Sequence, residues 1–414
     1  MFGGPIKTYS TTRSSPQRFE VCIVHPTLEY QAGDIELVRR VTHEMAPIKI
    51  GLIGLSASGS WASRAHLGYL TKTSNYAITA LQNSSSASAK KAVEKYNLPK
   101  TVSTYGDIDS LLADPDVDLV AISVKVPDHY ALTKPALEAN KSVFVEWPLA
   151  ASLSQAEELT ALARARGVRT LVGLQARQDP SIRKARELVS SGALGDILST
   201  TMLASGMIFG PQTQPGFTYA LPIENGANLV TIPAGHALDA LCFVLGEVTS
   251  LSATLANRRP NMPIVDAEGN LLETLPKTAH DYMAVTGALA GSGAVANVVY
   301  QGGTSATGKN FYWEINGTKG SLVLEAPGGH VQIFHPTLKF VEVGKKDKDG
   351  GDAGLNEVQV QTPDGPSYNV GVAWDAFVGE GPGSVVTFED ALLRHKMIDA
   401  IYRSNETGKR ESYL

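Results

Sequence analysis

The run Ile48-Lys49-Ile50 leads directly into Gly51-Leu52-Ile53-Gly54-Leu55-Ser56-Ala57-Ser58-Gly59, and this stretch decides the fold. An apolar strand that enters a glycine-rich turn is typical of a dinucleotide-binding unit, in which the next helix begins at the phosphates. Ser56 stands where the middle glycine is expected, so a glycine-rich turn in another kind of α/β protein is the alternative. The stretch predicts a phosphate site formed by Gly54, Ser56, Ala57 and Gly59.

The segment from Ile48 to Gln175 alternates short β-rich runs with helix-like stretches, as parallel βαβ units require. Ser154 and Glu157 are spaced as a capping box at the start of its last helix. We therefore predict an α/β Rossmann domain over residues 45–175. Its predicted strands are 48–53, 77–81, 119–123, 142–145 and 170–174, and its predicted helices are 87–96, 108–112, 129–138 and 154–166.

After Gln175 the pattern changes to one helix, 181–190, followed by longer strands, glycine-rich turns and few helices. This change predicts a second, α+β domain over residues 176–414 that ends in an amphipathic helix, 388–404. The charged segment 345–354 mixes lysine with aspartate and is predicted as a solvated hairpin tip. The predicted strands are 198–203, 248–255, 282–286, 294–300, 311–315, 321–325 and 331–334.

Composition excludes several classes of function. The 414 residues carry a net charge of −5 with acids and bases mixed throughout, which predicts no direct nucleic-acid or membrane contact. The uncharged stretch 282–305 is rich in Gly, Ser and Thr, so it is predicted as a hairpin rather than a membrane span. Cys22 and Cys242 lack zinc or redox spacing, which predicts no metal site and a location in the cytoplasm or the nucleus.

The first residues form a separate segment. Residues 1–18 contain Lys7, Arg13 and Arg18 among many Ser and Thr, a composition that is typical of a transit peptide. Glycines and prolines would break the amphipathic helix that such a peptide needs. We predict that residues 1–44 are an unstructured, dispensable extension, with a transit peptide or a misplaced start as the alternatives.

The end of the second predicted strand bears on nucleotide choice. NAD-specific folds place an acid there, about 20 residues after the glycines, to bind the ribose diol. This chain has Asn83, Ser84 and Ser85 at that place, with Lys90 and Lys91 near the next helix start. No carboxylate repels a 2′-phosphate, so we expect NADP as well as NAD to bind. The alternative is an ordinary solvated loop.

Four motifs in fixed order extend these predictions. After Gly54-x-Ser56-x-x-Gly59 come residues 120–124 leading to His129, then Val145-Glu146-Trp147-Pro148-Leu149-Ala150, then Gly235-His236-Ala237-Leu238-Asp239. From Met45 onward the chain resembles the Gfo/Idh/MocA oxidoreductases, and most of all their branch of fungal galactose-regulon repressors. The resemblance implies a Rossmann domain, a second domain with a large open, mostly antiparallel sheet whose outer face often makes an oligomer, and an active site between them.

The resemblance also implies roles for particular residues. It places Val124, His129, Glu146 and Trp147 at the cofactor, and His236 and Asp239 among the catalytic residues. Active members of the family have a lysine where this chain has Trp147, and commonly an aspartate where it has Ile232. The repressor branch shares the tryptophan.

These departures matter because hydride removal from a sugar carbon leaves a hydroxyl proton that a base must accept, helped by a nearby cation. Trp147 supplies neither; it either covers the nicotinamide or a sugar face or simply fills space. Lys125, in the loop after the fourth predicted strand, is a candidate for a relocated amine, with an ordinary surface lysine as the alternative. His236 is either catalytic or a satisfied core histidine.

Two functions follow from these features. The first is an NAD(P)-dependent oxidoreductase acting on a sugar, polyol or similar small molecule. The second is a catalytically impaired, nucleotide-gated transcriptional regulator that acts through protein contact. A third alternative is a member of the family that acts on a specialised metabolite. In each case we expect a homo-oligomer.

Overall fold

The computed structural model describes residues 46–351, 353–361 and 365–414, so the predicted extension and Cys22 lie outside it. Its first sheet consists of β1 (Ile48–Ile53), β2 (Tyr76–Gln82), β3 (Ser103–Tyr105), β4 (Leu119–Ile122), β5 (Ser142–Glu146) and β6 (Thr170–Gly173). All its pairs are parallel, in the order β3-β2-β1-β4-β5-β6. This is the order of a doubly wound dinucleotide-binding fold, with its switch point between β1 and β4.

Five helices connect these strands. They are α1 (a π-helical turn, Ala62–His66, continued by Leu67–Leu70), α2 (Ser86–Lys95), α3 (Ile108–Leu112), α4 (Val126–Glu138) and α5 (Leu153–Arg166). The predicted capping box of α5 is wrong. Ser152 rather than Ser154 takes the extended conformation before the helix, and its side chain accepts the N–H of Gln155 at 3.3 Å.

A second sheet follows in the chain. Its strands are β7 (Ile197–Gly206), β8 (Val248–Ala256), β11 (Tyr282–Leu289), β12 (Val295–Gly302), β13 (Phe311–Gly317), β14 (Gly320–Ala326), β15 (Thr337–Glu342) and β16 (Asn356–Glu357), beside a separate hairpin of β9 (Asn261–Val265) and β10 (Leu271–Pro276). The order is β16-β15-β14-β13-β7-β12-β11-β8, and all pairs are antiparallel except β7 with β12. The predicted fold class is confirmed.

Four longer helices complete the described chain, namely α6 (Pro180–Ser190), α7 (Pro233–Leu245), α8 (Ser367–Phe377) and α9 (Phe388–Thr407). The sequence predicted α6 and α9 but not α7 or α8. Val370 and Trp374 of α8 pack in one cluster with Ile50 and Leu52 of β1. The last part of the predicted second domain therefore covers the first sheet, because an apolar helix face must be buried wherever a complementary surface exists.

Two stretches test the strand predictions directly. Residues 282–305 contain the antiparallel pair β11 and β12, as predicted, and no helix within the described ranges is long and apolar enough to cross a membrane. The predicted strand 331–334 is wrong. Residues Val331–Phe334 form turns after β14, and the short apolar run lies at the edge of a cleft rather than in a sheet.

Candidate active site

The glycine-rich turn between β1 and α1 has the backbone conformation that its sequence predicts. Gly54 has φ +96°, and a Cβ there would lie 2.2 Å from the carbonyl oxygen of Ser123, so only glycine fits. Gly59 also has a positive φ, +99°. The Ser56 hydroxyl accepts the N–H of Ser58 at 3.2 Å, which fixes the turn from within. The turn lies at the carboxyl edge of the sheet, where dinucleotide folds bind phosphates.

The polar residues after β2 lie beside this turn. The Asn83 amide donates to the carbonyl of Leu55 at 2.8 Å, which ties the two loops together. Ser85 caps α2, because its hydroxyl accepts the N–H of Ser88 at 3.2 Å. Ser84 is exposed and lies between them. The structure thus holds Asn83 and Ser85 in place by local bonds and leaves the Ser84 side chain open to solvent.

A cleft of 390 Å³ lies next to the turn. This volume falls within the range of about 300–1,000 Å³ that is typical of small-molecule sites. The cleft brings together the predicted residues Val124, Lys125, His129, Glu146, Trp147 and His236 with others that were not predicted, among them Ser123, Gln175, His330 and Gln332.

Trp147 forms part of the wall of this cleft. Only 4% of the residue is exposed, and its indole N–H donates to the carbonyl of Thr231 at 2.8 Å. A Cβ on Gly235 would lie 2.8 Å from the indole nitrogen, so the helix α7 approaches the ring closely because position 235 is glycine. Trp147 therefore both fills the space between the two sheets and presents a flat apolar surface to the cleft.

Glu146 belongs to a buried chain of hydrogen bonds. The Trp374 indole N–H donates to Nδ1 of His66 at 3.2 Å. In the neutral ring the proton then lies on Nε2, which donates to Glu146 Oε1 at 2.6 Å. The second carboxylate oxygen lies 3.5 Å from the Gln175 amide nitrogen. Glu146 lines the cleft, and its carboxylate is held in position by His66 of α1.

His129 connects the loops that follow β4 and β5. Its Nδ1 lies 2.8 Å from the carbonyl oxygen of Pro148, and its Nε2 lies 3.1 Å from that of Val124. Burial lowers the pKa of this imidazole, so the ring is neutral and donates to one carbonyl at a time. Both ring nitrogens face backbone oxygens, and His129 therefore shapes the cleft through the two loops.

His236 lies on α7 and faces the same cleft. It is 4% exposed, and its Nδ1 has no hydrogen-bond partner among the described residues. Burial lowers the pKa of His236 to about 3, so the imidazole is neutral and has a free nitrogen. A satisfied core histidine would have its polar atoms bonded, and this one does not.

Asp239 lies one turn further along α7 and has a different environment. It is fully buried and accepts both the Nε and Nη2 of Arg177 at 2.7 Å, with Arg394 Nε at 3.4 Å. Asp239 is not among the residues that line the cleft. Asp239 thus lies in an ion-pair cluster with two guanidinium groups outside the cleft lining, and its catalytic role stays a prediction.

Lys125 lies at the mouth of the cleft. Its side chain is exposed, and the residue occupies the N-cap position of α4 without a capping hydrogen bond from its side chain. An exposed ammonium beside a helix N-terminus is well solvated. The geometry therefore places Lys125 where a ligand enters rather than deep in the cleft with His236.

His330 and Gln332 were missed by the sequence prediction. They lie in the turns after β14, and the ring of His330 stacks on that of Phe209 with centroids 6.4 Å apart. The available signal was Gly328-Gly329 directly before the histidine. A Cβ on Gly329 would lie 2.4 Å from the carbonyl oxygen of Ser205, so the chain here passes too close to β7 for a regular strand pair.

Five buried polar atoms around the cleft have no hydrogen-bond partner among the described residues. A buried polar atom without a partner costs about 1–3 kcal/mol, so such atoms are rare unless ordered water or a ligand satisfies them. Their concentration around one cleft favours a polar occupant there over an apolar one. The atoms are Ser123 Oγ, Gln175 Oε1, His236 Nδ1, His330 Nε2 and Gln332 Oε1.

Known proteins match both halves of the chain. A model of the oxidoreductase family with an NAD-binding Rossmann fold, GFO_IDH_MocA, matches residues 48–174, and a model of the Gal80p C-terminal domain matches residues 180–326. The dehydrogenase aclE of Aspergillus oryzae is 35% identical over 370 residues, which cover 88% of this chain and 98% of that protein. The chain belongs to the Gfo/Idh/MocA oxidoreductase family.

Regulatory proteins are also similar to this chain, at a lower identity than aclE. The galactose/lactose metabolism regulatory protein GAL80 of Saccharomyces cerevisiae is 30% identical over 416 residues, covering 88% of this chain and 94% of that protein. The crystal structure of a super-repressor mutant of that protein superposes with a TM-score of 0.81 at 28% identity, over 89% of this chain and 98% of the other. The predicted resemblance is confirmed.

The cleft fits the nicotinamide nucleotide that the Gfo/Idh/MocA family binds. The two positive-φ glycines frame the phosphate turn, and the cleft beside it contains Ser123 Oγ and Gln175 Oε1 without partners among the described residues. A nucleotide amide and ribose hydroxyls have the donors and acceptors that these atoms require. The turn would hold the pyrophosphate, and the wall of Val124, Glu146 and Trp147 would adjoin the nicotinamide end.

Replacing Gly54 with alanine should weaken nucleotide binding at least about tenfold, since the strain of a non-glycine residue there is about 1–3 kcal/mol. The Cβ would force the turn away from Ser123. Titration of NAD and NADP by calorimetry measures the effect, with circular dichroism to check folding. Gly354→Ala is the control, because the φ of Gly354 is not positive and a Cβ there meets no described atom within 4 Å. Equal affinity of G54A and the wild type would contradict a phosphate site at this turn.

Proposed function

We propose that this chain is an NAD(P)-dependent oxidoreductase that acts on a hydroxylated small molecule, such as a sugar or a polyol, within the cleft. The observation that carries the proposal is the set of five buried polar atoms without partners among the described residues. They come from both the nucleotide side and the α7 side of the cleft. The likeness to the dehydrogenase aclE supports the same reaction class.

The chemistry divides between the nucleotide and the protein. When bound, a nicotinamide nucleotide would supply the hydride chemistry, and the protein would have to receive the hydroxyl proton of the substrate. His236 is the residue with a free ring nitrogen for that proton, since Asp239 is bonded to two arginines. His330 provides a second neutral imidazole, because burial lowers its pKa to about 4. We assign His236 as the proton acceptor, which requires its pKa to rise above the ligand-free value of about 3 when substrate binds, and His330 as a partner for a second hydroxyl.

Turnover should be detectable as a change in nicotinamide absorbance with at least one member of a panel of sugars and polyols. His236→Asn should lower kcat at least about 100-fold, the usual contribution of a general base, and should leave nucleotide affinity unchanged. His280→Asn is the matched control, because His280 does not line this cleft. Equal kcat in H236N and the wild type would contradict the assignment of His236.

Lys125 is tested in the same assay. Its exposed position at the mouth predicts that Lys125→Met changes kcat less than about threefold, since a solvated amine adds little electrostatic stabilisation. A loss of tenfold or more would instead show that a relocated ammonium assists the reaction.

We propose that the site accepts NADP as well as NAD. Ser84 is exposed beside the phosphate turn, and no carboxylate occurs from Asn83 to Ser86. Ser84→Asp should therefore weaken NADP binding at least about tenfold, because a carboxylate there would repel the 2′-phosphate, and should affect NAD far less. Competition titration with both nucleotides measures the difference. Equal weakening of both would place the 2′-position elsewhere.

The second candidate is a nucleotide-gated regulator that acts through a protein partner. Two observations favour it: the buried Trp147 stands in place of the family lysine, and Ile232 stands in place of the aspartate. The likeness to GAL80 supports the same reading. Tight binding of an acidic, hydrophobic peptide, together with no turnover across the panel, would establish the regulator and exclude the oxidoreductase.

We further propose a homo-oligomer formed through the outer face of the second sheet. Leu203 of β7 and Val299 of β12 are register neighbours, and each is 42% exposed. An apolar patch on a sheet face is typical of a subunit interface. Light scattering of the purified protein tests the assembly, and the cytoplasm or the nucleus remains its proposed location.

A further inference from the structure

A second pocket, here called the rear pocket, shares no lining residue with the cleft and adjoins Trp147 through His395. This rear pocket has a volume of 290 Å³ and is formed by the start of α5, the short turn at 223–226 and one face of α9. The ring of His395 separates it from Trp147, with the two ring centroids 4.9 Å apart. The polar and aromatic residues that line the rear pocket include Glu224, His395, Asp399, Tyr402 and Glu406.

His395 carries an unexplained polar atom. The residue is 4% exposed, and its Nε2 has no hydrogen-bond partner among the described residues. Burial lowers the pKa of His395 to about 3, so the ring is neutral and one nitrogen has a free lone pair. A buried nitrogen of this kind in the wall of a pocket indicates that a ligand hydrogen-bond donor completes it.

The charge of the rear pocket has one sign. Glu224, Asp399 and Glu406 line it, and no lysine or arginine among the described residues does. Arg403 pairs with Asp399 at 2.7 Å, which offsets one of the three charges. Glu224 and Glu406 are exposed, and neither is within 4.0 Å of a cationic group in the described part of the chain. Two carboxylates therefore remain available to a ligand.

Tyr402 adds an aromatic surface to the rear pocket. Its hydroxyl lies 3.3 Å from the side-chain oxygen of Asn228, so the ring is fixed in position. Carboxylates around a tyrosine ring, with a neutral imidazole acceptor, are the groups that recognise an ammonium or guanidinium ion. The volume is at the lower end of the range for ligand sites, which favours a small ligand over a macromolecular segment.

We propose that the rear pocket is a binding site for a compact organic cation, a small free amine or guanidine whose charged group lies between Glu224 and Glu406 and donates a hydrogen bond to His395. The site is separate from the cleft, and it does not depend on the oxidoreductase activity. Its occupant contacts the ring that packs against Trp147, so it adjoins the wall of the nucleotide cleft.

Calorimetric titration of the full chain with putrescine at low salt tests the proposal. We expect saturable binding with one site, and at least tenfold weaker binding by the Glu224→Gln/Glu406→Gln double variant. His395→Phe keeps an aromatic ring against Trp147 but removes the nitrogens, and it should also weaken binding. The neutral analogue 1,4-butanediol should not bind, because it lacks the charge that the carboxylates recognise.

Two controls make the outcome decisive. Glu268→Gln/Glu273→Gln removes the same charge from the β9–β10 hairpin, away from the rear pocket, and should leave putrescine binding unchanged. NAD affinity of the Glu224→Gln/Glu406→Gln variant should equal that of the wild type, since neither residue lines the cleft. The proposal is overturned if putrescine does not bind, or if both double variants bind it equally, whatever the turnover assay shows.

Discussion

Three buried histidines that stay neutral in the folded protein should by themselves lower the free energy of unfolding by about 6 kcal/mol between pH 7.5 and pH 5. The pKa values of His236 and His395 are lowered to about 3 and that of His330 to about 4, in each case chiefly by burial. The ordinary value in an unfolded chain is about 6.5. The loss of stability in acid is thus a consequence of burying these three neutral histidines, which line the two pockets.

The direction of the effect follows from proton binding. Below pH 6.5 the unfolded state binds protons at these histidines and the folded state does not, so acid favours unfolding. Each histidine contributes a slope of about 1.4 kcal/mol per pH unit from its unfolded pKa down to its folded pKa. Above about pH 7 the contribution is complete and stability no longer depends on these groups.

Denaturant unfolding at a series of pH values measures this slope. His330→Gln/His395→Gln should remove about two thirds of the three-histidine contribution, because glutamine does not titrate. Only the pH dependence of the variant and the wild type is compared, so a difference in their stability at pH 7.5 does not affect the test. An unchanged slope in the double variant would show that these imidazoles titrate alike in both states.

Asp239→Asn should destabilise the protein by about 3–5 kcal/mol, because it leaves the buried guanidinium groups of Arg177 and Arg394 without their shared carboxylate. Asp239 and Arg394 are both fully buried, and Arg177 makes a bidentate pair at 2.7 Å. Asparagine has nearly the same shape, so the loss reflects charge rather than a cavity. Denaturant unfolding at pH 7.5 measures it.

The exposed pair of Asp399 with Arg403 provides the control. Both side chains are about two fifths exposed, at 38% and 43%, so Asp399→Asn should cost less than about 1 kcal/mol. If Asp239→Asn were as stable as the wild type and lost only turnover, the result would support the proton-transfer role that the family motif implies for Asp239.

The comparison of Asp239 with His236 shows how far the sequence prediction reached. The family motif places His236 and Asp239 three residues apart, and the structure puts both on α7, a helix that the sequence did not predict. Their separation into a cleft residue and an ion-pair residue depends on Arg177 and Arg394, which approach from distant parts of the chain. Nothing in the local spacing indicates those contacts, because ion pairs between remote segments leave no periodic signal.

The sequence prediction also failed for the segment that contains His330 and Gln332. Their segment was predicted as a strand from a short apolar run, and short runs do not distinguish a strand from an apolar cleft wall. The close approach of Gly329 to Ser205 decides the outcome. The sequence shows the pair Gly328-Gly329, but it does not show that the Ser205 carbonyl oxygen lies where a side chain at position 329 would have to be.

The sequence by itself determined the Rossmann domain, the glycine-rich turn after β1 and most strands of the second sheet, because glycine positions, apolar runs and turn residues act over a few residues. Only the tertiary structure decided which polar atoms lie in the cleft without partners, what holds Asp239, and that a second pocket adjoins Trp147 through His395. These properties depend on contacts between segments that are distant in the chain, because such contacts decide which polar groups are buried and which are paired.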